Sequence, residues 1–338
     1  MTSRTLAVLA GAGALGLAAC RPAPRQAAVA IDPAQLAHFA ALPAEMASAV
    51  NPVTEAKVAL GRALYFDTRL SRDGRLSCNS CHRLDAYGAD TGATSVGFRG
   101  QHGGRNSPTV YNAAGHFVQF WDGRAPDVET QAKGPILNPV EMAMPDGDAV
   151  MRAIAGDSAY GRMFREAFPG EPRPMTYDNL GRAIGAFERR LVTPSRWDRF
   201  LAGDTAALTR EERAGFVAFT SVGCAGCHNG AYVGGLMYQK AGLVRPWPDT
   251  TDHGRMDVTH ESGDRMVFKV PSLRNVARTG PYFHNGRVHS LDTAVIMMGR
   301  YQLGRELGPD EVQPILAWLR ALTGDLPAGV TPPPARTD

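Results

Sequence analysis

Cys78, Cys81 and His82, in the order Cys-Asn-Ser-Cys-His, recur as Cys224, Cys227 and His228 in Cys-Ala-Gly-Cys-His. These two clusters hold every cysteine of the chain except Cys20. Positions i, i+3 and i+4 of a helical turn share a face. Two thiols at that spacing reach the two vinyl groups along one porphyrin edge, and the histidine that follows lies under the iron. His82 and His228 are therefore read as proximal iron ligands, and the four cysteines as thioether anchors of two c-type haems. A redox dithiol, a disulfide or half of a zinc site would each use Cys-Xaa-Xaa-Cys, but none has a use for the adjacent histidine. No further cysteines are present to complete a zinc cluster.

The elements that must hold these clusters are helical. Leu180, Ile184, Phe187 and Leu191 follow the period of one helix face. A helix over about Thr54 to Phe66 places Val53, the aliphatic stem of Lys57, Leu60 and Leu64 on one stripe. Thr209-Arg210-Glu211-Glu212 is a capping box that opens a helix burying Phe216 and Phe219 and leading into the second cluster. A final helix carries Val312, Ile315, Leu316, Leu319 and Leu322, begins near Val312 with Pro314 in its first turn, and stops at Gly324. No strand alternation of comparable length competes, and no repeat beyond the two clusters stands out. The long Gly- and Pro-rich stretches from Gly88 to Pro108 and from Gly230 to Pro271 are of a length that is more often functional than idle.

The chain has 338 residues and a formal net charge of +3, with no block of like charge of the kind that marks a nucleic-acid binder. Arg4 precedes an apolar run from Leu6 to Leu17 that is too short to span a bilayer as a mature helix and reads as an export signal. The run ends in Leu17-Ala18-Ala19-Cys20, similar to a bacterial lipobox, so residues 1–19 read as a lipoprotein signal peptide and Cys20 as the lipidated first residue. An ordinary cleavage after Ala19 or Ala23 is the alternative, and both place the protein in the periplasm. Residues 20–34 read as a flexible tether and 327–338 as a disordered tail. Between them lie two domains, 35–200 and 201–326, each with one haem cluster.

Further stretches carry a resemblance. Leu60-Gly61-Arg62-Ala63-Leu64-Tyr65-Phe66-Asp67, Gly104-Arg105-Asn106-Ser107-Pro108-Thr109, Phe120-Trp121-Asp122-Gly123-Arg124 and Gln131-Ala132-Lys133-Gly134-Pro135 occur in that order. Glu141-Met142, Lys269-Val270-Pro271-Ser272-Leu273-Arg274-Asn275-Val276, Pro281-Tyr282-Phe283-His284-Asn285-Gly286 and Gln302-Leu303-Gly304 follow. The chain thereby resembles, over nearly all of its mature length, the bacterial di-haem cytochrome c peroxidases and their relatives of the MauG type.

The resemblance implies an all-α fold of two cytochrome c-like domains and the reduction of hydrogen peroxide to water. Electrons would come from a small c-type cytochrome or a cupredoxin. The His82 haem would be the peroxidatic one, with an open distal side, and the His228 haem would relay electrons with Met298 as sixth ligand. Adjacent Met297 is the competing assignment. Glu141 matches the catalytic glutamate, Gln131 the amide of the same pocket, and Trp121 the ring between the haems. Asn106 with the carbonyls of Thr279 and Pro281 matches an inter-haem Ca2+ site, whose oxygen donors suit a hard cation. His284 is read as structural or as part of the haem surroundings. Members of the family are often homodimers, although no exposed stripe marks an interface here, and membrane contact would be through the lipid alone.

One departure matters. Phe98 stands where many members have a distal histidine that closes the peroxidatic haem until the other haem is reduced, which implies a site open in the oxidised enzyme. His102 is the nearby substitute ligand to consider. Two other readings stay in play: a MauG-like enzyme that oxidises a tryptophan of a partner protein, and a non-catalytic di-haem electron carrier. Tyrosine as sixth ligand marks the MauG branch, and Met298 occupies that position.

Overall fold

The computed structural model describes residues 1–2, 29–328 and 331–332. Most of the expected export signal, Cys20, most of the tether and most of the tail lie outside the described residues. No helix among the described residues is long and apolar enough to cross a membrane.

Two hydrophobic cores organise the chain. In the first, the helices Glu55–Tyr65, Val128–Leu137, Ser158–Ala167 and Tyr177–Glu188 bury Leu60, Leu64, Tyr65, Ile136, Phe164, Leu180, Ile184 and Phe187. Thr54 caps the first of these, its hydroxyl accepting from the Lys57 amide, so the helix lies within the expected Thr54 to Phe66. Lys57 goes further in than a snorkelling lysine: its ammonium is buried and donates to Asn51 Oδ1 and Pro52 O at 2.9 and 3.0 Å. In the second core, Arg210–Val222 and Pro309–Ala321 bury Phe216, Phe219, Ile315, Leu316, Trp318 and Leu319. Each such apolar side chain contributes roughly 1.5–3 kcal/mol on burial. Phe39 and Trp197, which fall within the expected first domain, 35–200, pack here against Phe216 and Trp318.

One glycine lets the central helix pair of each core approach. A Cβ on Gly61 would lie 1.9 Å from Ala183 O, and one on Gly215 would lie 1.9 Å from Pro314 O. Any side chain at either position would push the helices apart.

Three features differ from the sequence reading. The last helix begins at Pro309, not near Val312, because proline at the first helical position has its φ preset and lacks only an amide that would be unpaired anyway. Pro314 then falls inside the helix. The all-α expectation omits a short antiparallel ribbon pairing Tyr238–Lys240 with Val267–Lys269, too brief to leave an alternating pattern in sequence. The third difference is a structural repeat. Pro108-Thr109-Val110-Tyr111-Asn112 and Pro271-Ser272-Leu273-Arg274-Asn275 adopt the same conformation, with both asparagines left-handed at φ 61° and 62° and each followed by a single tight turn. The Thr109 and Ser272 hydroxyls donate to Tyr87 O and Tyr232 O, each at 2.6 Å. Further on, Phe120 and Phe283 share a positive φ, and the isolated bridges Gln119 to Ala125 and Tyr282 to Val288 enclose Phe-Trp-Asp-Gly-Arg and Phe-His-Asn-Gly-Arg.

Candidate active site

A single cavity of about 770 Å3 runs between the two cores, and both Cys-Xaa-Xaa-Cys-His clusters line it. Cys78–Cys81 forms one turn of α-helix opened by Ser77, whose amide donates to Ser80 Oγ at 3.0 Å. Cys224–Gly226 is a tighter turn entered through left-handed Gly223 at the end of the Arg210–Val222 helix. In both, the histidine amide donates to the carbonyl of the first cysteine, His82 to Cys78 at 2.9 Å and His228 to Cys224 at 3.0 Å. The expected clustering of two thiols and an imidazole is thus built twice.

The chemistry of these groups fits covalent haem. Burial lowers the pKa of both imidazoles, His228 to about 4, which keeps them neutral and able to ligate iron. Each Nδ1 is buried without a hydrogen-bond partner of normal geometry, and the ring is faced by backbone of a repeat-related proline, Pro108 for His82 and Pro271 for His228. Burial pushes the Cys78 and Cys224 thiols up to about 12, which disfavours a thiolate and suits an uncharged thioether. Each cluster therefore offers two thioether anchors and one axial ligand.

The wall near His82 carries Gln131, Pro135, Asn138 and Glu141. Gln131 and Pro135 come from the Val128–Leu137 helix, and Glu141 from the turn that follows. Asn138 Nδ2 donates to Glu141 Oε1 at 2.9 Å. Burial raises the Glu141 pKa above the ordinary 4.5, with Arg124 and the Asn138 bond pulling the other way. In the repeat Pro135 corresponds to Met298, so the two cavity ends carry a proline and a thioether at equivalent places.

At the other end, Met298 lines the cavity and Met297 does not. The Leu291–Met297 helix passes there into a π-helical turn, Met298–Gln302. Gln302 holds this turn against the ribbon, accepting from Gly242 N at 3.0 Å and donating to Lys240 O at 2.8 Å.

Between the ends, Trp121, Asn106, Phe268, His284, Thr279 and Pro281 all line the cavity. Trp121 Nε1 donates to Asn106 O at 2.9 Å, and Asn106 N donates to His284 O at 2.7 Å. His284 stacks on Phe268 at 4.3 Å and meets Trp121 edge-on at 6.4 Å. Trp121 and His284 are repeat partners, a relationship absent from the sequence reading although Phe-Xaa-Xaa-Gly-Arg at both places signals it.

Phe98 and His102 are not among the cavity-lining residues. Phe98 is buried elsewhere, its amide donating to Val140 O and Glu141 O at 3.0 and 2.7 Å and its ring flanked by Arg72 and Arg99. His102 Nδ1 lies 3.3 Å from Thr94 Oγ1. Sequence reasoning also missed Glu188, Lys269 and His116, which border the cavity from the side.

Two helical cores thus share one cavity that both Cys-Xaa-Xaa-Cys-His clusters line. A family model described as di-haem cytochrome c peroxidase matches residues 55–206. The cytochrome c551 peroxidase of Nitrosomonas europaea is 45% identical over 300 residues, covering 88% of this chain and 89% of that protein. The methylamine utilization protein MauG of Methylorubrum extorquens is 35% identical over 295 residues, covering 84% and 82%. The crystal structure of a MauG-like protein associated with microbial copper homeostasis superposes with a TM-score of 0.76 at 28% identity, covering 86% of this chain and 95% of that one. This chain belongs to the di-haem cytochrome c peroxidase family.

Proposed function

We propose that this protein is a periplasmic peroxidase that reduces hydrogen peroxide to water with two electrons from a small c-type cytochrome or cupredoxin. The observation that carries the reading is that Glu141 and Gln131 line the same cavity as His82, with Glu141 close enough to act on the Cys81 thiol of that cluster. Haem, bound at each cluster, supplies the iron at which peroxide is reduced and through which electrons pass.

Glu141 supplies the proton traffic. Cleaving an O–O bond needs a group that takes a proton from one oxygen and delivers it to the other, and a carboxyl whose pKa burial has raised can do both. Asn138 fixes the orientation of that carboxyl, and the Gln131 amide orients peroxide by hydrogen bonding. Trp121, tied to Asn106, offers an oxidisable ring between the two ends. Met298 fits the sixth-ligand role better than Met297 because it reaches the cavity, and a thioether ligand raises haem potential. Phe98 is held away from the cavity, which supports a His82 end that this residue leaves open.

The finer organisation follows the same reading: a peroxidatic domain over 35–200, an electron-transfer domain over 201–326, Ca2+ held by Asn106, Thr279 and Pro281, and a lipid anchor at Cys20. The MauG-like alternative needs a tyrosine as sixth ligand, and Tyr301, three residues past Met298, packs against Trp247 and is not a cavity-lining residue. Steady-state turnover of reduced cytochrome c with peroxide tests the proposal, and negligible turnover would hand the protein to the tryptophan-oxidising reading. Unchanged turnover in Glu141→Gln would overturn the proton-transfer assignment, and a pure electron carrier would show no turnover in either protein.

A further inference from the structure

One cavity-lining carboxyl has no part in that chemistry. Glu188 closes the Tyr177–Glu188 helix, is 3% exposed, and borders the cavity close to Cys78, at the side of the His82 cluster. Its surroundings are ill-suited to a carboxylate. The neighbouring Glu129, from the Val128–Leu137 helix, takes Arg189 Nε and Nη2 at 2.8 and 3.0 Å and Asn51 Nδ2 at 2.8 Å, which commits the local donors. From the Glu55–Tyr65 helix Tyr65 faces Glu188, but its hydroxyl donates to His82 O at 2.6 Å. Cys78 faces it too, and as a thioether has no proton to exchange. Only desolvation and the charges of Glu129 and Arg189 act on Glu188; no hydrogen bond among the described residues does. Burial, assisted by Glu129 and opposed by Arg189, pushes the Glu188 pKa up to about 8.

We propose that Glu188 is the redox-linked proton site of the His82 haem, taking up one proton when an electron arrives on that haem and releasing it when the electron leaves. The inference rests on the reading of His82 as a haem ligand that changes oxidation state. Charge couples the two events: in a poorly screened interior, an added electron stabilises the protonated form of a nearby carboxyl, and by reciprocity the proton stabilises the reduced haem. The electron comes from the donor protein and the proton from water, and no bond to peroxide forms at Glu188. Glu141 has the proton needed for O–O cleavage, so the two carboxyls divide the work between substrate and electron.

Redox titration of the holoprotein, followed in the absorption of the His82 haem over a pH range centred on the raised value, tests this. In the wild type the midpoint potential falls as pH rises through the window between the oxidised-state and reduced-state pKa of Glu188. Glu188→Gln loses that slope, and the infrared carboxyl band that accompanies reduction disappears with it. Glu141→Gln keeps both. A wild-type slope in Glu188→Gln, or its loss in Glu141→Gln alone, would overturn the assignment. Should Glu188→Gln fail to mature, Glu188→Asp keeps a carboxyl and is expected to keep the slope with its centre moved; a flat Asp variant would also overturn it. A His82 haem that never changes oxidation state, or is absent, would sink the underlying reading instead.

Discussion

The side-chain amides of Asn112 and Asn275 donate to the same acceptor, Thr193 Oγ1, at 2.8 and 2.9 Å. Both asparagines are repeat partners, both are fully buried, and Thr193 itself is 0% exposed. The connection is closed by backbone: Asn112 Oδ1 accepts from Thr193 N at 3.1 Å and Asn275 Oδ1 from Gly324 N at 3.0 Å. One hydroxyl therefore ties together the two segments that carry the prolines whose backbone faces His82 and His228. Neutral amides and a hydroxyl do this without burying a charge.

Thr193→Val keeps the shape and removes the shared acceptor, leaving two buried amide donors short of a partner. Each such loss costs about 1–3 kcal/mol. A fall in the urea midpoint of holoprotein unfolding at unchanged slope is the expected result.

Glu141→Gln retains the hydrogen-bonding shape and abolishes proton exchange. Peroxide turnover is expected to fall by roughly 10²–10⁴-fold with haem spectra unchanged. The acid side of the wild-type rate profile also has a defined sign. Taking the first proton requires ionised Glu141, and since its folded pKa is raised, activity drops at a pH above the ordinary 4.5. That limb vanishes in the glutamine variant, measured as log kcat/KM against pH.

Met298→Leu removes the thioether that reaches the cavity and Met297→Leu does not. The first is expected to lower the potential of the His228 haem and change its spin state; the second leaves both close to wild type. Potentiometric titration with optical detection distinguishes them.

Phe98 sits against Arg72 and Arg99 and makes two backbone bonds to the turn that carries Glu141. The fully oxidised protein is accordingly expected to contain one high-spin haem and to turn over peroxide without prior reduction. Paramagnetic resonance of the diferric form checks this, and a spectrum of six-coordinate low-spin iron alone would contradict it.

Much of the site is legible in the chain because its signals are local. Cys-Xaa-Xaa-Cys-His needs only one helical turn, and the Thr209 capping box operates over four residues, its hydroxyl accepting from Glu212 N at 3.2 Å. The helical stripe through Leu180, Ile184 and Phe187 likewise needs only its own period, and all three are buried. What sequence misses is set by partners far along the chain. Glu188 looks like any helix-terminal glutamate until the Val128–Leu137 helix is packed beside it and Glu129 has taken its arginine. The repeat hides because only a few of its positions keep the same residue, while the rest exchange freely, Tyr111 for Arg274 and Trp121 for His284. Pro309 was passed over because Pro314 drew the helix start toward itself, when two prolines five apart serve the same helix in different ways.

The shared cavity also bears on how the protein comes into being. Because both cores border one space of about 770 Å3, a group that fills it packs against each of them at once. Loading of the two porphyrins is therefore expected to stabilise both halves together, so that the holoprotein resists proteolysis longer than the unloaded chain.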